Sequence, residues 1–240
     1  MRWVGIIWVF VMPVLAVAQQ PEFSEIQQEW LDEARTLDKV GYYVADGSFV
    51  YGAELIGSII GKNLIYHESA VYKHDETRFL TLGRIETADK QVYMATGWMK
   101  VQENWLKTID ILLPAEQVTK PDTKLETELK NARIRWVELA NQHNPLAHVS
   151  ATYRENATYF GAGELSEGHE EIADRYFYME NPEYQVDLAA TKLLQIKSDI
   201  VFETGRYYTG SDRQGSGGIY VIIWERTESG NWLIALDFNF

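Results

Sequence analysis

The chain has no cysteine. A disulfide scaffold, a catalytic thiolate, a lipid-modified thiol and a cysteine metal site are therefore all excluded. Basic residues are also scarce, with 22 Lys and Arg against 35 Asp and Glu and a formal charge of -13. Nucleic acid and anionic lipid are bound through Lys and Arg, so neither is an expected partner. The five histidines, His67, His74, His143, His148 and His169, are scattered. His143 and His148 lack the i, i+4 spacing that puts two ligands on one helix face, so no metal site is expected. No Ser-His-Asp order or paired-carboxylate motif stands out, and nothing calls for a cofactor.

Long apolar runs are also missing, except one. Trp3 to Val17 follows Met1-Arg2, and Ala16-Val17-Ala18 puts small residues where a signal peptidase reads. The run is short of the ~20 residues that a membrane span needs. Residues 1-18 are expected to be a cleaved signal peptide, and the mature chain an exported, periplasmic or extracellular protein without membrane attachment.

What the chain does contain is a repeated hairpin. Ile219 to Trp224 and Trp232 to Phe238 flank Thr-Glu-Ser-Gly-Asn, where Gly230 supplies the positive φ of a tight reversal. Tyr93 to Val101 and Trp105 to Leu112 flank Gln102-Glu103-Asn104 in the same way. Each copy has a Trp late in the rising strand (Trp98, Trp224), a Trp opening the returning strand (Trp105, Trp232), and an Asp five positions later (Asp110, Asp237). The chain reads as a tandem duplication.

Upstream of each hairpin the order is helix first, sheet afterwards. Glu22 to Leu37 carries Phe23, Ile26, Trp30, Ala34 and Leu37 on one face. Gly41 to Tyr51, the short apolar segment Glu54 to Ile60, and strands at Leu64 to Tyr72 and Phe79 to Glu86 follow. Pro114 to Thr123 reads as a linker, and Asp122 or Thr123 can cap the next helix. That helix, Leu125 to Gln142, is followed by a short helix at Leu146 to Tyr153, a strand at Ala157 to Phe160, a third helix at Glu167 to Met179, and strands at Tyr184 to Ile196 and Ile200 to Thr209. Gly210 to Gly218 reads as a flexible or exposed loop. Aligning the halves pairs Trp30 and Ala34 with Trp136 and Ala140, Tyr43 with Tyr153, Phe49 with Tyr159, and Gly83-Arg84 with Gly205-Arg206.

Trp136-x-x-x-Ala140, Tyr153-Arg-Glu-Asn-Ala-Thr-Tyr-Phe160, Gly168-x-x-x-Ile172 and Gly230-Asn-Trp-Leu-Ile-Ala-Leu-Asp237 resemble the nuclear-transport-factor-2-like superfamily, in its SnoaL-like and uncharacterised secreted branches. The second half matches over nearly its full length. The first resembles the family through the second, as a degenerate copy. The resemblance implies an α+β chain of two cone-like domains (22-113 and 124-240, linker 114-123), each a curved antiparallel sheet wrapped around N-terminal helices with a pocket at the open end. It also implies packing of the two as an intramolecular pseudo-dimer. Relatives include isomerases, dehydratases, cyclases and association domains, so the fold does not choose the chemistry. Many relatives carry a pocket-facing His directly after the last-strand Asp. Phe238 stands there, which counts against acid-base catalysis.

The candidate pocket residues are His148, Tyr159, Tyr207, Trp224 and Asp237. Strict alternation puts Asp237 on one face with Leu233 and Ala235, and Trp232, Ile234, Leu236 and Phe238 on the other. An unpaired carboxylate there would have a raised pKa suited to a general acid, whereas a hydrogen bond from Arg206 would make it a structural charge. The leading expectation is non-catalytic binding of a small apolar or aromatic molecule, or of a protein partner. The alternatives are an isomerase, dehydratase or cyclase using Asp237 with Tyr or His donors, and a structural module with a filled pocket. Asn156-Ala-Thr158 fits a glycosylation acceptor in a eukaryotic source.

Overall fold

The computed structural model describes residues 23-32, 41-44, 48-51, 65-86, 91-113, 118-161, 163-213 and 215-240. The expected signal peptide, the segment 54-60, the first helix beyond Asp32, linker residues 114-117 and the side chain of Trp30 lie outside the described residues. The architecture is α+β, with two six-stranded sheets.

The first half contributes α1 (Phe23–Asp32), β1 (Gly41–Val44), β2 (Ser48–Tyr51), β3 (Ile65–Lys73), β4 (Arg78–Glu86), β5 (Gln91–Val101) and β6 (Asn104–Leu113). The second contributes α2 (Thr123–Ala140), α3 (Pro145–Thr152), β7 (Tyr153–Gly161), β8 (Glu164–Glu167), α4 (Gly168–Arg175), a 3-10 turn (Phe177–Glu180), β9 (Val186–Lys197), β10 (Ile200–Thr209), β11 (Gly217–Arg226) and β12 (Trp232–Asn239). The strand orders are β2-β1-β6-β5-β4-β3 and β8-β7-β12-β11-β10-β9. These are the same order. In both, the first strand of a short hairpin runs parallel to the last strand of a four-stranded meander.

Helix α2 forms where its stripe of Leu125, Leu129, Trp136 and Ala140 can be buried, and the Asp122 carboxylate accepts the Leu125 N–H at 2.8 Å to start it. Helix α3 begins at Pro145, where a missing N–H costs nothing, under an Asn144 cap at 3.1 Å from Ala147 N. Several boundaries differ from the sequence reading. Tyr153 opens β7 rather than ending α3, so the strand is longer than Ala157 to Phe160. The expected single helix 167-179 is a strand end, α4 and a 3-10 turn, with Gly168 at φ +75° making the corner that separates strand from helix. Gly217 and Gly218 belong to β11, and a side chain at Gly218 would run into the His74 ring. Thr119, in the expected linker, is bonded to Gln195 through both backbone groups.

Both hairpins carry a β-bulge at the same place. Gly97 pairs with Ile109 and Trp98 with Lys107, leaving Thr108 as the extra residue, and Ile223 pairs with Leu236 and Trp224 with Ile234, leaving Ala235. An extra residue reverses which side chains face which way beyond it. Strict alternation along β12 is therefore broken. Trp232 and Ile234 share a core with the helices of the second half, whereas Ala235, Leu236 and Phe238 join Ile109, Ile111, Leu82, Phe202 and Val221 in a core between the two sheets. A Cβ on Gly97 of one sheet would lie 2.8 Å from the Phe238 ring of the other.

Register also corrects the alignment of the halves. Tyr43 lies opposite Ile111 on the strand of Asp110, and Phe160 lies opposite Phe238 on the strand of Asp237. Tyr43 thus corresponds to Phe160 and not to Tyr153, and Phe49, its partner in the hairpin, corresponds to Leu165 and not to Tyr159. Gly83 opposite Met94 does match Gly205 opposite Tyr220.

Candidate functional site

Asp237 sits one residue past the β12 bulge pair, and the bulge turns it toward the helices. It is 4% exposed. Tyr153, the first residue of β7, and Tyr176, the residue after α4, both donate to its Oδ2, at 2.6 and 2.5 Å. Trp136 on α2 donates from Nε1 to the Tyr153 oxygen at 3.2 Å. Burial raises the Asp237 carboxyl above its ordinary range, and the two phenol hydrogen bonds pull part of the way back. Burial, with the Asp237 charge beside them, raises both phenols well above theirs. Oδ1 accepts from none of the described residues. The expected partner Arg206 is elsewhere, its guanidinium directed at the Lys73 carbonyl of the first sheet at 3.4 Å.

Beside Asp237 lies a cavity of about 90 Å³. Its aromatic wall is Trp136, Tyr176, Tyr178, Tyr184, Tyr207 and Tyr220, and Asp237 is the one charged residue among those lining it. Asn239 adds an amide whose oxygen accepts the Tyr159 hydroxyl at 3.1 Å. The Tyr220 hydroxyl donates to Glu203 at 2.6 Å. Glu203 is fully buried and saturated: Arg133 of α2 reaches both its oxygens at 2.8 and 2.9 Å, and Trp224 Nε1 donates at 3.0 Å. Burial raises Glu203, with Arg133 foremost among the groups opposing it. This ion pair ties α2, the helix that carries Trp136, to the sheet.

The sequence-derived candidates separate in space. Asp237 and Tyr207 line one cavity. Tyr159 reaches it through Asn239. Trp224 ends on Glu203 and borders a different depression, of about 270 Å³, with Trp232 and Thr152. His148 is 1% exposed behind the cavity wall, edge-on to Trp136 at 4.6 Å. Neither of its ring nitrogens has a partner among the described residues, and desolvation lowers its pKa to about 3. Phe238 points into the core between the sheets, so its identity does not bear on the cavity. Trp136, Tyr153 and Tyr176 were missed as site residues although two of them stand in the quoted motifs. Periodicity marks such residues only as core.

The corresponding acid of the first half is held differently. Asp110 is fully buried and accepts from Lys107 Nζ at 2.9 Å and Thr96 Oγ1 at 2.6 Å. Among the described residues no cluster of three or more His, Asp or Glu is placed to hold a metal, and no helix is long and apolar enough to cross a membrane.

No protein-family model matches the chain, and no curated protein does. Solved structures do. A protein described as nuclear-transport-factor-2-like and of unknown function from Shewanella oneidensis is 13% identical, with a TM-score of 0.41 over 48% of this chain and 97% of that one. A ketosteroid isomerase-like protein from Erwinia carotovora atroseptica is 16% identical, with 0.39 over 49% and 95%. A putative calcium/calmodulin-dependent protein kinase II association domain from Xanthomonas campestris is 16% identical, with 0.38 over 50% and 86%. Solved structures to which this chain is similar include ones described as nuclear-transport-factor-2-like and ketosteroid isomerase-like, each along about half its length.

Proposed function

We propose that the chain is an exported binding protein whose second half receives a small apolar or aromatic ligand in the cavity beside Asp237, without catalysis. The observation that carries this reading is where the hydroxyls nearest the buried acids point. An isomerase or dehydratase needs a base and a donor at separate points on its substrate. Here the Tyr153 and Tyr176 hydroxyls are directed at Asp237 itself, and Tyr220 at Glu203. Neither His148 nor a second carboxylate is among the residues that line the cavity. Apart from Asp237 and Asn239, the lining is made of Trp and Tyr rings and of Met, Val, Leu and Ile side chains, which favours contact over proton transfer. The first half, packed on the second through the core between the sheets, serves as the fixed partner in a fused pseudo-dimer, a contact made intramolecular by the linker.

The test is a thermal-shift panel on the mature chain, using phenol, toluene and glucose as probes. A ligand bound only by the folded state raises the melting temperature in proportion to RT ln(1 + [L]/Kd). Saturable shifts by the ring compounds, abolished by Leu188→Trp, which puts an indole where the cavity is, support the proposal. No shift with any of them refutes it in favour of a filled structural module, and turnover of an added ketone or enone that needs Asp237 refutes the absence of catalysis.

A further inference from the structure

The cavity's aromatic wall and its single charged residue together point to a more specific occupant. Resting on the binding reading above, we propose that the cavity recognises a small organic ammonium group, held by the π-faces of its Trp and Tyr rings and by the free Oδ1 of Asp237. Three features of the site lead there.

The first is what the hydroxyls are doing. The hydroxyls nearest the buried acids, those of Tyr153, Tyr176 and Tyr220, are committed to carboxylates within the protein. Asp237 is left as an acceptor. Its Oδ2 takes both phenols, Oδ1 takes no described donor, and the residue lines the cavity.

The second is charge. Two phenols bring hydrogen bonds to Asp237 but no positive charge, and no Lys or Arg is among the residues that line the cavity. A carboxylate ionised there has no counter-ion among the residues that line the cavity, and a bound cation would supply one where attraction is little screened. In the first half the equivalent acid has such a cation built in, at Lys107.

The third is shape. Rings of Trp136, Tyr176, Tyr178, Tyr184, Tyr207 and Tyr220 surround the space. Aromatic rings attract a cation through the negative potential of their faces, worth ~0.5-2 kcal/mol each as the site dries, and cages of this kind take quaternary ammonium groups. The volume of about 90 Å³ is about three times the ~30 Å³ share of one water, so it admits one compact head group and not a fused ring. Tyr178 at the rim is 43% exposed, leaving a way out for whatever tail the head carries.

Calorimetric titration of the full mature chain with choline, and with its neutral carbon isostere 3,3-dimethylbutan-1-ol, tests the proposal. Choline is expected to bind at least tenfold more tightly than the isostere. Asp237→Asn keeps the Tyr153 and Tyr176 hydrogen bonds through its amide oxygen and is expected to abolish that preference. Tyr184→Leu, at a residue with no hydrogen bond to Asp237, is expected to weaken choline severalfold with the fold unchanged by circular dichroism. Equal or tighter binding of the isostere overturns the ammonium proposal while leaving the apolar-ligand reading standing, as does an Asp237→Asn protein that keeps the preference. Binding of neither probe, with no shift in the ring-compound panel, overturns both.

Discussion

His148 gives the sharpest test of how the second half is assembled, because its burial predicts a pH dependence of known sign. The imidazole has a pKa lowered to about 3 by desolvation, against the ordinary 6.5 of an unfolded chain. Between those values the unfolded state holds a proton that the folded state does not, so stability falls as pH falls from about 6.5 toward 3. Linkage over that window gives a loss of about 2 kcal/mol between pH 7.5 and 5, and about 3 by pH 4. Asp237 and Glu203, both raised, contribute with the opposite sign. They are present in wild type and variant alike, so a difference between the two isolates the histidine. His148→Leu keeps the volume roughly constant and removes two nitrogens that have no described partner. Urea titrations at pH 7.5 and 5 are the assay. At pH 7.5 the variant is expected to be as stable as wild type or about 1 kcal/mol more so, since an unsatisfied buried polar group has been deleted. At pH 5 the gap is expected to widen by about 2 kcal/mol. Parallel pH dependences would refute the reasoning, because they would mean that the folded protein protonates His148 as readily as the unfolded one.

Arg133→Ala strands the buried Glu203 carboxylate, an uncompensated charge that costs about 3-5 kcal/mol; the loss in urea midpoint should shrink toward acid, where Glu203 takes a proton, and should be partly rescued by Glu203→Gln. Gly218→Ala drives a methyl into the His74 ring, whose side chain is 5% exposed and accepts the Ile219 N–H at 3.0 Å; a cost of about 1-3 kcal/mol should appear as a lower melting temperature and faster amide exchange at Ile219. Tyr153→Phe removes one of two donors to Asp237, so the carboxyl should titrate higher by carbon NMR and stability should fall by about 1-3 kcal/mol; an unmoved titration would show that the hydrogen bond does not hold the charge.

The sequence was informative where local pattern decides structure. Trp98, Trp105, Trp224 and Trp232 mark strand ends around two turns, and the α2 stripe repeats at helical spacing, so both hairpins and the long helix could be read directly. The bulges could not. Thr108 and Ala235 are ordinary strand residues, and nothing local says that one of them will be skipped by the partner strand. That one omission reversed the faces assigned to Leu236 and Phe238, and with them the meaning given to Phe238. The partners of Asp237 were hidden for a different reason. Tyr153 and Tyr176 lie 84 and 61 positions away in the chain, so only the closed fold brings them to it. Arg206 looked equally plausible because sequence shows charge and not direction. His148 was singled out as a possible ligand contact, and its burial without a partner is a property that no spacing rule records.

The two halves offer an internal comparison of what a buried acid can be for. Asp110 and Asp237 occupy the same register on the same strand of the same sheet order, each two residues past its bulge. A carboxylate taken out of water must be compensated, and in the first half Lys107 does this with its side chain 1% exposed. By register the residue in its place in the second half is Ile234. An apolar side chain there cannot neutralise Asp237, so hydrogen bonds from Tyr153 and Tyr176 carry the load, and burial still leaves the carboxyl raised. Substituting a salt bridge by phenols would be a poor way to stabilise a core, because hydrogen bonds without an opposing charge recover only part of the desolvation cost. It is a good way to keep an acceptor available beside a cavity. The recurrence of the acid thus reflects the shared fold, and under the binding proposal the change of its partner from Lys107 to two tyrosines marks the half whose acid is left to meet a ligand.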